Sequence, residues 1–178
     1  MTDTPETRVR WATPEDAATI VAFVRGLAAF EHEPLEQVHL TAADVLRDGF
    51  GARPAFECLI AEQGALDAPR PVGFALFFPN YSTWEGRAGL YVEDIFVEED
   101  ARGTGAGRAI LQALARVARD RGAPRIDLAV LDWNPARGFY ERLGFRRQQE
   151  WLPYRLEAAG IAALAEAAAI ADAPPTAS

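Results

Sequence analysis

The sequence predicts an α/β (α+β) fold, a mixed and mostly antiparallel sheet with helices on both faces. Three observations predict it. Apolar and aromatic segments of strand length recur at 56–62, 72–78, 89–97 and 126–131. Stretches with helical spacing of apolar residues stand before and between them, opened by capping residues. The connection between the first two of these strands is polar and carries prolines, the mark of antiparallel neighbours.

The elements follow in order. Arg8 to Trp11 reads as a short strand. Thr13-Pro14-Glu15-Asp16 then opens a helix, with Thr13 as cap, Pro14 suited to the first helical position and Asp16 facing the helix dipole. Ile20, Phe23, Val24 and Leu27 form its apolar stripe. Thr41-Ala42-Ala43-Asp44 opens a shorter helix that should stop near Gly49. After the strand at 89–97 comes a glycine cluster, then a helix over 107–121 with Ile110, Leu111, Leu114, Val117 and Ala118 on one face. Asn134-Pro135 caps a further helix that Gly144 ends. Two weak strands and an Ala-rich helix complete the prediction. No internal linker interrupts the chain, so one domain is expected over 8–171, with flexible ends at 1–7 and 172–178.

Composition narrows the function. Apolar residues make up 49% of the chain, enough for a core, yet no run of about 18 uncharged apolar residues exists to span a membrane. The opening residues carry Asp3 and Glu6 and lack the apolar centre of an export signal, so a cytoplasmic location is expected. The net charge is −8 and all 18 basic residues are arginine. That balance disfavours nucleic acid and anionic membrane and is compatible with a cationic substrate. Cys58, alone of its kind, cannot form an internal disulfide and reads as an inert core thiol. His32 and His39 lack metal-like spacing to acids or cysteine, and no metal is expected.

Arg102-Gly103-Thr104-Gly105-Ala106-Gly107 lies between a strand and a helix. Glycines without Cβ atoms let a ligand approach the main chain, and the N–H groups and dipole of a helix start favour an anion. With Arg102 adding positive charge, a pyrophosphate fits. A dinucleotide fingerprint fails, because Arg108 stands where its third glycine belongs. A nucleotide P-loop fails for want of any lysine. A tight turn with no ligand remains the alternative.

Arg-x-x-Gly-x-Gly between strand and helix resembles the acetyl-coenzyme A loop of the GNAT superfamily of N-acetyltransferases. About 30 residues on, Trp133-Asn134-Pro135-Ala136-Arg137-Gly138-Phe139-Tyr140-Glu141-Arg142-Leu143-Gly144-Phe145 is similar to that superfamily's Asn…Tyr…Gly-Phe segment. A narrower resemblance is carried by Leu27-Ala28-Ala29-Phe30-Glu31, Asp48-Gly49-Phe50-Gly51, Gly73-Phe74-Ala75-Leu76-Phe77-Phe78 and Leu90-Tyr91-Val92-Glu93-Asp94-Ile95-Phe96-Val97. These look like the diamine (spermidine/spermine) N-acetyltransferases and their thialysine-acetylating relatives. The resemblance implies a GNAT fold, acetyl-coenzyme A as cosubstrate, a small-molecule amine as acceptor and a homodimer.

It also implies roles. The main chain of Ile95, Phe96 and Val97 would contact thioester and pantetheine, with Arg102, Gly103, Thr104, Gly105, Ala106 and Gly107 around the pyrophosphate and Asn134 as a further coenzyme contact. Glu31 and Glu93 would bind the amine. An aliphatic amine with a pKa near 10.4 must lose a proton before it attacks, and Glu93 matches the family's acid for that step. Glu93 and Asp94 are strand neighbours, so regular geometry sends them to opposite faces unless a bulge intervenes. Tyr140, a phenol with an ordinary pKa near 10, matches the acid that protonates the leaving thiolate. Ser82 stands where polyamine enzymes carry an aspartate, which leaves the amine open. The expectation is an N-acetyltransferase for a primary amine, acting by direct attack in a ternary complex. The rivals are transfer to a peptide N-terminus or an antibiotic amine, and a non-catalytic module that only binds acetyl-coenzyme A.

Overall fold

The computed structural model describes residues 6–166. The expected loose ends fall outside these at 1–5 and 172–178, whereas Thr7 is tied in place, its hydroxyl accepting from Gln63 Nε2 at 2.8 Å. Packing divides the chain into two compact units that meet in sequence at Val130 and Leu131.

The first unit holds strand β1 (Arg8–Trp11), helices α1 (Ala17–Phe30) and α2 (Ala42–Phe50), strands β2 (Glu57–Gln63), β3 (Arg70–Ser82) and β4 (Arg87–Val97), helix α3 (Ala106–Asp120) and strand β5 (Ile126–Leu128). The sheet runs in order β1-β2-β3-β4-β5. The first three pairings are antiparallel and the last is parallel, as expected when α3 forms the crossover between β4 and β5.

Side-chain alternation gives the sheet two apolar faces. On one, Cys58, Ile60, Phe74, Leu76 and Phe96 pack with Ala17, Ile20 and Phe23 of α1 and Val45 of α2. The Phe23 and Phe74 rings stack at 5.5 Å. On the other, buried Leu59, Ala61, Ala75, Phe77 and Val92 face α3, whose Ile110, Leu111, Leu114 and Ala118 are buried in turn. Each such Leu, Ile or Phe contributes about 1.5–3 kcal/mol by leaving water. Helix α1 comes especially close to β4. A Cβ on Gly26 would lie 2.8 Å from the Phe96 ring, so only glycine lets the helix settle there.

The entry to α1 departs from the simple cap. Pro14–Asp16 forms a 3-10 turn before the helix, and it is the Asp16 carboxylate that accepts from the Thr13 N–H at 2.8 Å and hydroxyl at 3.3 Å. Asp16 does not merely face the dipole. It is buried and paired through both oxygens with Arg10 (2.6 and 2.8 Å), while Arg10 Nε donates to Glu62 at 2.8 Å. The guanidinium holds the Asp16 carboxyl below its usual range, against the opposing effect of burial. Helix α2 has the reciprocal box its sequence announces: Thr41 Oγ1 accepts from Asp44 N–H, and Asp44 accepts from Thr41 N–H.

Strand β3 runs on to Ser82, further than its apolar run, while β5 stops at Leu128 rather than Leu131. In the second unit the two weak final strands do not form. Among the described residues no strand follows β5, and residues 146–157 are exposed throughout. A strand needs a partner edge, and this unit supplies none. It does supply helix α4 (Arg137–Arg142) and helix α5 (Ala158–Ala165), the latter being the described part of the expected Ala-rich helix.

Candidate active site

The site begins where two strands part. Strand β5 pairs with β4 only through Leu90↔Ile126, Tyr91↔Asp127 and Val92↔Leu128. Beyond that point β4 continues to Val97, paired on its other side to β3 through Ile95↔Ala75, Phe96↔Phe74 and Val97↔Gly73. The main chain of residues 93–97 therefore presents an edge that β5 does not cover. Main-chain N–H and C=O groups need partners, and a ligand with amide groups of its own could lie along this edge as a strand would.

Glu93 sits at the break. Leu76 pairs with Asp94 and Phe77 with Val92, so Glu93 is an extra residue, a β-bulge. The bulge removes the restriction that regular alternation imposes. Asp94 lies on the α1 side with Phe96, Tyr91 lies on that side too, and the charge of Glu93 acts on both. The two acids therefore stand side by side in charge as well as in sequence. Glu93 is exposed, whereas Asp94 is largely buried and its carboxyl is pushed up to about 6 by burial, then by Glu93 and Glu31. Glu31, at the C-terminal end of α1, is half-buried and raised by burial and by Glu33. The result is an acidic cluster of Glu31, Glu93 and Asp94. Asp94 is the member the motif reading left unassigned, and its signal was there: an acid next to Glu93 in an otherwise apolar strand.

At the far end of β4 the glycine cluster opens α3. Gly103 and Gly105 have φ of 78° and 97°, a left-handed conformation that favours glycine, and a Cβ on either would meet nothing within 4 Å. Open space therefore stands over both. The first intrahelical bond runs from Ala109 N–H to Gly105 C=O at 2.9 Å, so helix geometry leaves the N–H groups of Ala106, Gly107 and Arg108 to other partners. This cradle of donors fits a pyrophosphate.

Two side chains of the cluster also have partners within the protein. Arg102 Nε donates to the Val97 carbonyl at 3.0 Å, and its guanidinium lies over the Phe30 ring at 4.6 Å, so its charge is held there by a charge-assisted bond and a cation–π contact. The Thr104 hydroxyl donates to Ala101 C=O at 2.6 Å and accepts from Gln63 Nε2 at 2.7 Å. Both residues shape the turn.

In the second unit Asn134 is buried. Its Oδ1 accepts from Ala136 N–H at 2.8 Å, a turn that leads into α4. Tyr140 is buried on α4, with its ring 5.5 Å from Phe139 and 5.7 Å from Phe145. Elsewhere, Cys58 is buried and its thiol is pushed up to about 12, chiefly by burial, which leaves no nucleophilic thiolate. Among the described residues no helix is long and apolar enough to cross a membrane, and no group of three His, Cys, Asp or Glu is placed to hold a metal.

Comparison with known proteins identifies the family. The family described as "Acetyltransferase (GNAT) family" matches residues 11–145. A thialysine N-epsilon-acetyltransferase of Bos taurus is 38% identical over 165 residues, covering 88% of this chain and 96% of that protein. Its counterpart in Mus musculus is 39% identical over 167 residues, covering 89% and 97%. Among solved structures, an integron cassette protein from the mobile metagenome of V. cholerae shares the fold with a TM-score of 0.72 at 22% identity, covering 90% of this chain and 98% of that one. These findings bear out the fold and the activity expected from the sequence, an amine N-acetyltransferase on a mixed sheet, and the chain belongs to the GNAT family of acetyltransferases.

Proposed function

We propose that this enzyme acetylates the terminal primary amine of a small cationic molecule of the thialysine, ornithine or polyamine kind, with acetyl-coenzyme A as donor. The observation that carries the reading is the bulge at Glu93, which sets Glu93 beside Asp94, on which Glu31 also acts, next to the uncovered edge of β4. The names of the relatives support it: thialysine N-epsilon-acetyltransferases, and an L-ornithine N5-acetyltransferase of Arabidopsis thaliana at 41% identity over 93 residues, 52% of this chain and 41% of that protein.

The donor supplies an acetyl group activated as a thioester. Residues 103–107 bind its pyrophosphate through main-chain N–H groups, and the edge at Ile95, Phe96 and Val97 orients its amide-bearing arm, with Asn134 as a further contact. Glu31 and Glu93 attract the ammonium. Glu93, exposed beside the uncovered edge, takes the proton that must leave before the nitrogen can attack. The Tyr140 hydroxyl returns a proton to the sulfur as it departs. Direct transfer needs no enzyme nucleophile, in keeping with the inert Cys58. No metal is assigned a part.

A homodimer in the cytoplasm completes the proposal. Its support is the exposed apolar run of the second unit, where Trp151 and Leu152 are 71% and 72% exposed and Tyr154 is 93% exposed. Such surface is seldom left to water. A thiol-release assay with acetyl-coenzyme A against thialysine, ornithine, lysine, spermidine, aminoglycosides and peptide N-termini tests the function. Turnover confined to peptides or aminoglycosides overturns it.

A further inference from the structure

Beside the acidic cluster, the side of the sheet that carries Asp94 also carries a polar group that the proposed chemistry leaves unused. Register sets Tyr91 between Phe78 of β3 and Asp127 of β5, and one step further sets Asn80 opposite Gly89. The Phe78 and Tyr91 rings stack at 5.4 Å. Arg125 Nε lies 2.7 Å from Asp127 Oδ2, and Asn80 Nδ2 donates to the same oxygen at 2.9 Å. The two ion-paired side chains are 41% and 37% exposed, open to a ligand from solvent.

Gly89 allows this convergence. A Cβ there would lie 2.9 Å from both Arg125 Cγ and Asn80 Oδ1. Asn80 Oδ1 is itself buried without a hydrogen-bond partner. A buried amide oxygen left unsatisfied costs free energy, and here it accompanies an Nδ2 turned toward Asp127, which as a carboxylate can only accept. The molecule thus holds the Asp127 carboxylate and the Arg125 guanidinium side by side, rather than leaving them as a chance surface pair.

A neighbouring acceptor and donor match an ammonium and a carboxylate carried on one carbon. The position matches too. Asp127 is level with Tyr91, two residues before Glu93, which is about 7 Å along the strand and about 5 Å across to the next. The α-carbon and distal nitrogen of lysine are five bonds of about 1.5 Å apart, so with a hydrogen bond at each end such a molecule spans the gap. The Tyr91 phenol, raised by burial and then by Glu93 and Asp127, lies within reach of both charges.

We infer that Arg125 and Asp127 read the α-carboxylate and α-ammonium of a diamino acid whose distal amine is acetylated at Glu93. The inference rests on the proposed function and names its substrate class: an amino acid with a second amine, in preference to a bare diamine.

The test compares lysine with pentane-1,5-diamine, its decarboxylated counterpart, in steady-state assays of the full-length enzyme. The wild type should favour lysine about tenfold or more in kcat/KM. Arg125→Gln should raise KM for lysine about tenfold, as expected for a lost charge-assisted pair, while leaving kcat and the diamine unchanged, and Arg125→Lys should restore part of the loss. Asp127→Asn should raise KM for both, since both carry a distal ammonium. A wild type that prefers the diamine, or an Arg125→Gln variant that shifts both substrates alike, overturns the inference alone. Failure of the wild type to acetylate either amine, or any other in the panel, defeats the underlying functional reading instead.

Discussion

In the proposed function the two ends of the uncovered stretch of β4 recognise their ligands by opposite means. At the Val97 end the donor site is built from main chain: two left-handed glycines with open space above them, a helix start, and neighbouring side chains (Arg102, Thr104) occupied elsewhere. At the Glu93 end the acceptor site is built from side chains, three acids on a bulge and a helix terminus. A main-chain site tolerates exchange of its side chains but not the arrival of a Cβ where the ligand must lie. A side-chain site keeps its shape under substitution and loses its charge. The donor is common to a family, and the acceptor distinguishes its members. Fixed backbone for the one and exchangeable charge for the other are the economical solution.

The largest break in this comparison should come from Gly105→Glu. It places an anion and a Cβ in the space over the helix start and forces a left-handed residue, at a conformational cost of about 1–2 kcal/mol. Coenzyme A binding, followed by calorimetry, should weaken by more than about a hundredfold while the thermal transition persists. Retained affinity would show that the glycine turn is only a turn.

Next come the proton-transfer groups. Glu93→Gln and Tyr140→Phe should each lower kcat by about 10²–10³, with the Kd for coenzyme A within twofold of the wild type. Full turnover in either variant removes that residue from the chemistry.

Asp94→Asn sharpens the comparison by way of stability. The native carboxyl titrates near 6, above an ordinary 3.8. Between about pH 4 and 6 the folded chain keeps a proton that the unfolded chain releases, so stability falls as pH rises across that window, by roughly 2–3 kcal/mol in all. The asparagine variant should lose most of this fall, keeping the part that the raised Glu31 carboxyl contributes, and should be about 2 kcal/mol more stable above the window, as measured by urea denaturation at several pH values. An unchanged pH dependence would mean that Asp94 is not the buried acid of the cluster. The smallest effect belongs to Cys58→Ala, which should cost ~1 kcal/mol and leave kcat within twofold. A large loss of activity there would point to an acetylated thiol.

The glycine turn at the proposed donor end was legible in the sequence, because its requirement is composition at fixed spacing: glycines between a strand and a helix. The acceptor end was only half legible. Glu93 and Asp94 could be named, but alternation assigns them to opposite faces, and no residue pattern announces a bulge at Glu93. Asp127 and Arg125 were invisible as a pair, since register rather than spacing sets them against Tyr91 and Gly89. The early end of β5 at Leu128, which uncovers β4, was hidden too, because the apolar run continues to Leu131. The two strands expected after Gly144 failed for a related reason. Short apolar runs show a propensity to be strands, and whether they become so depends on an edge to join.

The unpaired residue in β4 also reverses which side chains line each layer. Ahead of it Leu90 and Val92 lie toward α3, with Tyr91 and Gly89 opposite; past it Ile95 and Val97 continue the first set and Asp94 and Phe96 the second. Pairing Glu93 in regular register would restore strict alternation and turn the rest of the strand inside out, carrying Asp94 and the Phe96 ring toward α3 and Ile95 and Val97 toward α1, whereas deleting the position would leave every other side chain on the face it now holds. Glu93 is thus also the phase marker of the sheet: the strand past it serves both cores only while that residue stays out of register.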